Sequence, residues 1–176
     1  MKNEQIQLVG IGLFIYNDDN HLKRLLDSLV KQDYPNIIIY ISDNNSQDNT
    51  CQICQEYQKH HSNIKYSRNE NTVGAPTNAK LVIEMAKDDH PDFFMLTKAA
   101  SQLSVNAITE CVKKKKKNED AVLSFPTPKW IDTNGNVLMN KPIGYYDTSG
   151  LDAIQRIAFT LWGNMNHILS LYRYDV

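Results

Sequence analysis

Three short apolar runs, separated by segments of a different period, constrain the fold of this chain more than any other feature. They are Leu8 to Ile15 (LVGIGLFI), Ile37 to Ile41 (IIIYI) and Asp92 to Leu96 (DFFML). Each is rich in β-branched or aromatic residues and lacks a polar alternation, the pattern of a strand buried on both faces of a parallel sheet. The intervening segments repeat their apolar residues at helical spacing. Leu22, Leu25, Leu26, Leu29 and Val30 form one stripe, stopped by Pro35, and Ile53, Cys54 and Tyr57 lie on one face of a second helix. A third helix, from about Pro76, carries Ala79, Leu81, Val82, Met85 and Ala86 and ends before Pro91. A short strand is predicted over Ile64 to Ser67, a helix from Ser104 to about Lys116 with Val105, Ile108 and Val112 facing inward, and a strand over Ala121 to Phe125. The expectation is an α/β fold: a mostly parallel, doubly wound sheet with helices on both faces, whose ligands bind beyond the carboxyl ends of the strands.

At 176 residues the chain is read as a single domain, 1-176, with a hydrophobic core of its own. Its net charge of -1 argues against a nucleic-acid partner, which would require a basic face. No run approaches the roughly 18 apolar residues of a membrane span, and the start, Met1 to Gln7, is polar, so a cytoplasmic location is expected. Three cysteines, an odd number, read as reduced thiols. The C-terminal part is less regular. Asp132-Thr133-Asn134-Gly135-Asn136 is a hairpin-type turn, Gly144 to Gly150 a loop, Ile154 to Trp162 an amphipathic helix, and His167 to Tyr172 a final strand.

Four segments, in order, resemble the nucleotide-diphosphosugar transferases of the GT-A fold, glycosyltransferase family 2 in particular. They are the strand end Phe14-Ile15-Tyr16-Asn17, the helix and Tyr-Pro turn LDSLVKQDYPN (Leu26 to Asn36), the acidic turn ISDNNSQDNT (Ile41 to Thr50), and RNENTVGAPTNAKLVIEMA (Arg68 to Ala86). The resemblance covers roughly Leu8 to Asn106 and implies a nucleotide-binding half, 1-106, followed by a partial acceptor-side half, 107-176. It implies a UDP-linked sugar donor, bound by Phe14, Tyr16, Asn17, Asp43, Asn44 and Ser46, and a saccharide or other hydroxyl acceptor. The residue chemistry agrees: a carboxylate at a strand end, Asp43, can accept from a uracil imide or a ribose hydroxyl, Asn44 offers either polarity, and the Tyr16 ring can flank a base. The alternative for Asp43 to Asn49 is a helix-capping turn with no ligand.

The family holds Mg or Mn against the donor diphosphate with an Asp-x-Asp cluster after the next strand. Here FFML runs into Thr97-Lys98-Ala99-Ala100-Ser101, followed by Leu103-Ser104-Val105-Asn106, similar to the family's Leu-Ser-Pro-Asn. The diphosphate side is therefore Lys98, Ala99, Ala100 and Ser101, without the carboxylates a hard divalent cation requires, and no metal site is assigned. Two readings of Lys98 stand: a fixed cation facing the diphosphate, or a solvated lysine beside a lost metal site. No catalytic base is assigned. Asp147 and Asp152 are the nearest candidates by position, but each fits the role of a loop or helix-cap carboxylate better. The missing base fits a truncated or degenerate member, or one completed by a homo-oligomer or partner chain, and the alternative function is a non-catalytic nucleotide- or sugar-binding or assembly module on the same fold. The nucleotidyltransferases fit less well, since Gly10 and Gly12 come too early for a phosphate loop.

The remaining features carry little. Cys51-Gln52-Ile53-Cys54 has the spacing of half a zinc site or a redox pair, but reads better as one helix face. Lys113 to Lys117 reads as a solvated face that complements the helix dipole, with peripheral contact to anionic lipid as the alternative. Trp130, Tyr145, Tyr146 and Trp162 are read as core aromatics, or else as a sugar-stacking platform.

Overall fold

The computed structural model describes residues 6–117, 123–124, 130–132, 136–139 and 171–173. The N-terminal part alternates strand and helix: β1 (Val9–Ile15), α1 (Asp19–Val30), β2 (Ile37–Asp43), α2 (Thr50–His60), β3 (Ile64–Arg68), α3 (Ala75–Glu84), β4 (Phe93–Thr97) and α4 (Ala107–Lys117). A single 3-10 turn, Lys87–Asp89, links α3 to β4. Four short strands follow: β5 (Leu123–Ser124), β6 (Trp130–Ile131), β7 (Val137–Met139) and β8 (Leu171–Arg173).

The main sheet has the order β3-β2-β1-β4-β8-β5. β1 pairs in parallel with β2 and β4, and β2 with β3, so the four N-terminal strands point their carboxyl ends the same way. β8 is antiparallel to both β4 and β5. The expected mostly parallel sheet is therefore present, with an antiparallel return strand inside it. Of the strand expected over His167 to Tyr172 the described part is β8, and β6 pairs antiparallel with β7, the Asp132 carboxylate accepting from the Asn136 N–H at 2.8 Å, while residues 133–135 of the expected hairpin-type turn lie outside the described residues.

β1, β2 and β4 bury both faces, which are covered unequally, whereas β3 at the sheet edge fully buries only Ile64. Val9, Ile11, Leu13 and Ile15 of β1 point toward α1, α2 and α4, meeting Leu22, Leu25, Leu26, Leu29, Cys54, Ile108 and Val112. Each fully buried leucine of α1 contributes about 1.5–3 kcal/mol, which explains why α1 forms where its apolar stripe is densest. The other face is covered by α3 through Val82 and by Ala86 beyond it, against Tyr40 and Phe94. On that face β1 presents Gly10 and Gly12, and the Phe94 ring lies across both. A Cβ on Gly10 would come within 2.7 Å of the ring, and one on Gly12 within 2.8 Å.

Some expected boundaries move. β2 runs on to Asp43, and α3 ends at Glu84 rather than reaching Pro91, the chain passing through the 3-10 turn and a left-handed His90 (φ 46°). α4 begins at Ala107, so Val105 sits in the preceding turn and is 57% exposed instead of lining the buried stripe. The cause is a set of bonds to the end of α1: Asp33 N–H donates to Val105 O at 2.9 Å, and Ile108 N–H to Gln32 Oε1 at 3.2 Å. These fix the entry of α4 and leave the valine outside. The expected helix over Ile154 to Trp162 lies outside the described residues.

Candidate functional site

The carboxyl ends of β1, β2 and β3 meet at one rim, and two loops form most of it. Residues 16–18 lead from β1 into α1, and residues 44–49 lead from β2 into α2. The two loops are laced together. Asn17 N–H donates to Ser46 Oγ (2.9 Å), Gln47 N–H to Asn17 Oδ1 (2.8 Å) and Asp18 N–H to Thr50 Oγ1 (2.9 Å). Asp48 serves two helices at once, accepting from Thr50 N–H at 3.0 Å and from Asp19 N–H at 3.2 Å. Burial works against its charge, but the Thr50 hydroxyl and the N–H groups of Thr50 and Asp19 outweigh it and hold the Asp48 carboxyl below the ordinary carboxylate range. Asn17 (φ 51°) and Asn45 (φ 62°) both adopt the left-handed conformation, which asparagine tolerates better than most residues.

Asp43 ends β2 and is fully buried. Its Oδ1 accepts from Ser46 N–H at 2.9 Å and its Oδ2 from the Tyr66 hydroxyl at 2.8 Å, with Arg68 Nε 3.8 Å away. Arg68 also donates through Nη2 to Ser46 O at 2.7 Å and to Asn45 Oδ1 at 3.1 Å. The parallel register sets this up, placing Tyr66 beside Ile41 and Arg68 beside Asp43. Burial, reinforced by hydrogen bonds to Cys51 and Asp43, pushes the Tyr66 phenol far above its ordinary pKa, so it remains a donor. Asn44 clasps the backbone of Val73, donating to Val73 O and accepting from Val73 N–H, both at 2.8 Å.

The residues expected at the donor site thus occupy different depths. Tyr16 and Asn17 stand at the surface, Tyr16 being 48% exposed. Asp43, Asn44 and Ser46 lie beneath it, their polar atoms bonded to neighbouring loops. Phe14 is half-buried and packs against the Tyr40 and Phe94 cluster below the rim, on the α3 face. Lys98 to Ser101 form a turn at the end of β4, on the far side of β1 from β2, closed by Ser101 N–H donating to Lys98 O at 2.9 Å. There Lys98 and Ala100 face solvent, Ser101 is half-buried, and Ala99 is 2% exposed within the core.

Sequence reasoning missed Tyr66, Arg68 and Asn78 at this rim. An asparagine at a helix position that faces the sheet was the available signal for Asn78; Tyr66 and Arg68 became visible only through strand pairing. The Asp147 and Asp152 candidates lie outside the described residues, as do Tyr145, Tyr146 and Trp162. Cys51, Cys54 and Cys111 are all free, and burial pushes the Cys54 thiol far above its ordinary pKa, which suits a packed helix face rather than a metal ligand. Lys115 is buried with its ammonium 5.9 Å from the centre of the Phe93 ring, so only part of the lysine run forms a solvated face.

The donor set after β4 does not fit a Mg or Mn ion. Lysine, two alanines and a serine supply no carboxylate, and no three His, Cys, Asp or Glu side chains converge among the described residues. Among those residues no helix is long and apolar enough to cross a membrane.

A four-stranded parallel core ordered 3-2-1-4, with an antiparallel return strand and polar loops gathered at the carboxyl ends of β1 to β3, defines a nucleotide-diphosphosugar transferase fold of the GT-A type. The chain belongs to glycosyl transferase family 2, whose pattern it matches over residues 11–173. It is 29% identical over 84 residues to the glycosyltransferase GlyG of Streptococcus pneumoniae, covering 48% of this chain and 28% of GlyG. It is 23% identical over 142 residues to an Escherichia coli chondroitin synthase, covering 78% of this chain and 19% of that protein. The chain therefore spans less than a third of either relative. Among solved structures, residues 1-349 of S. aureus TarS in complex with UDP-GlcNAc superpose with a TM-score of 0.71 at 19% identity, over 95% of this chain and 45% of that one. The mannosyltransferase PcManGT of Pyrobaculum calidifontis, in complex with GDP-Man and Mn2+, gives 0.58 at 17% identity, over 64% and 33%. At these identities the superpositions speak for the fold.

Proposed function

We propose that this chain is the donor-binding core of a glycosyltransferase that takes a UDP-linked sugar and passes it to a hydroxyl acceptor. The observation that carries the reading is the preorganised polar rim of Tyr16, Asn17, Asp43, Asn44 and Ser46 at the carboxyl ends of β1 and β2, in a chain of this family. Tyr16 flanks the base from the surface. Asp43 and Asn44 act through the loops they hold, and an imide contact by Asp43 requires it to share an oxygen already bonded to Ser46 or Tyr66. Residues 1-106 form the donor half and 107-176 part of the acceptor side.

In the transfer, an acceptor oxygen bonds to the anomeric carbon and the bond from that carbon to the diphosphate breaks. UDP leaves with the electron pair, and the acceptor proton passes to a base supplied by the 107-176 half or by a partner chain. Charge on the leaving diphosphate is met by Lys98, exposed at the end of β4, in place of a metal. Three free cysteines fit a reducing cytoplasm.

A second reading, a donor-binding module without turnover, is favoured by the absence of carboxylates at Lys98 to Ser101. Titration calorimetry of UDP and UDP-GlcNAc, each with and without Mn, tests the first claim: binding that ignores the metal supports it, and no binding under either condition refutes it. Release of UDP in the presence of acceptor then separates enzyme from module.

A further inference from the structure

Asn78 lies on α3, the helix behind the sheet, and is only 2% exposed. Every hydrogen-bonding position of its amide is engaged. Its Oδ1 accepts from the Ser42 hydroxyl at 2.6 Å and from Asn69 Nδ2 at 3.1 Å. Its Nδ2 donates to Ser42 O at 3.2 Å and, at a longer reach of 3.5 Å, to Ile15 O. An amide offers two donors and two acceptor lone pairs, so this set is complete.

The partners mark three strand ends. Ile15 is the last residue of β1 and precedes Tyr16; Ser42 precedes Asp43 at the end of β2; Asn69 follows Arg68, the last residue of β3. Asn69 continues the network, its N–H donating to Asp43 O at 2.8 Å and its side chain to Asn44 Oδ1 at 3.2 Å. Asn44 in turn clasps Val73. One side chain therefore ties the ends of β1, β2 and β3 together beneath the 43–46 turn and the 69–74 loop, which also bond to each other directly through Asp43, Asn44, Asn69 and Val73, although it is too deeply buried to touch a ligand.

We infer that Asn78 is a positioning residue for the donor site, holding the strand ends beneath these two walls of the rim. The inference rests on the donor reading above, but the hub itself is testable without a donor. A buried network of this kind demands both polarities, so aspartate is the informative replacement: it keeps the acceptor but turns an oxygen toward the carbonyls of Ser42 and Ile15. Burial and those carbonyls raise the pKa of the introduced carboxyl, and its protonated form again offers one donor.

The experiment compares the whole chain with Asn78→Asp and Asn78→Ala by amide hydrogen exchange and by UDP-GlcNAc calorimetry. In Asn78→Asp, exchange at Ser46, Asn69 and Val73 accelerates by about tenfold or more, the scale of one uncompensated buried hydrogen bond. Exchange at Ile11 and Ile39 in the sheet interior stays at the unsubstituted rate. Affinity for UDP-GlcNAc falls by a similar factor and recovers as the pH is lowered and the carboxyl takes up its proton, whereas the unsubstituted chain shows no such recovery. In Asn78→Ala the loss is independent of pH. Acceleration spread evenly through rim and interior makes Asn78 an ordinary stabilising residue and overturns the inference, as does unchanged exchange at the rim. If the unsubstituted chain binds no UDP-GlcNAc, the donor reading fails, and the exchange pattern alone decides whether Asn78 is the hub.

Discussion

Removing the Asp43 carboxylate distinguishes a residue that serves a ligand from one that holds the site together. In Asp43→Ala, the Ser46 N–H and the Tyr66 hydroxyl lose their acceptor at a fully buried position, and Arg68 loses its countercharge. Each orphaned buried donor costs about 1–3 kcal/mol. Arg68 is partly exposed, so water recovers some of that loss, and the expected destabilisation is about 2–4 kcal/mol. Tyr66→Phe removes one donor and leaves Oδ2 facing Arg68, at a cost of about 0.5–1.5 kcal/mol. The double substitution then costs less than the sum, with a coupling of about 0.5–1.5 kcal/mol, because the second change removes a bond already broken. Urea unfolding of the four proteins measures all of these, the slope serving to check that the transition remains two-state. If Asp43→Ala unfolds at the unsubstituted midpoint, the carboxylate holds nothing together and its burial has been misread.

Three further outcomes follow from the same geometry. Gly10→Ala drives a methyl against the Phe94 ring and destabilises the sheet by about 1–3 kcal/mol; Phe94→Leu in the same chain restores part of this in thermal unfolding, and full additivity would refute the contact. Burial raises the phenols of Tyr34, Tyr57 and Tyr66 above their ordinary pKa of 10.0. Their share of stability is full below about pH 10 and is lost as pH rises beyond it toward the folded values, because the unfolded phenols ionise first. Alkaline titration of phenolate absorbance should show a lagging fraction that ionises with unfolding, and one smooth step would contradict this. Lys98→Ala lowers affinity for UDP-GlcNAc more than for uridine; equal affinity for both ligands before and after the change would remove Lys98 from the diphosphate.

The N-terminal strands and helices were legible in the sequence because each rests on a local pattern. Leu22 to Val30 and the IIIYI run need no knowledge of distant residues to be placed. The return strand β8 was anticipated as a strand, but its position between β4 and β5 was not, since antiparallel insertion depends on pairing with residues far away in the chain. The rim was legible as a polar turn over Asp43 to Thr50, but what its carboxylate and amides are bonded to was not. Asp43 reads from sequence as a free acceptor, whereas Tyr66 and Arg68, brought alongside by register, already occupy it. Val105 shows the converse: its spacing fits a helix stripe, and the bonds to Gln32 and Asp33 start the helix too late to include it.

The lacing of residues 16–18 to 44–49 has a practical consequence for chimeras. Asn17 depends on Ser46, Asp18 on Thr50, and Asp19 on Asp48, so neither loop keeps its shape if the other is replaced. Exchanging either loop for a relative's therefore requires both to move as one cassette, and a single-loop graft would test mismatched seams rather than the grafted sequence.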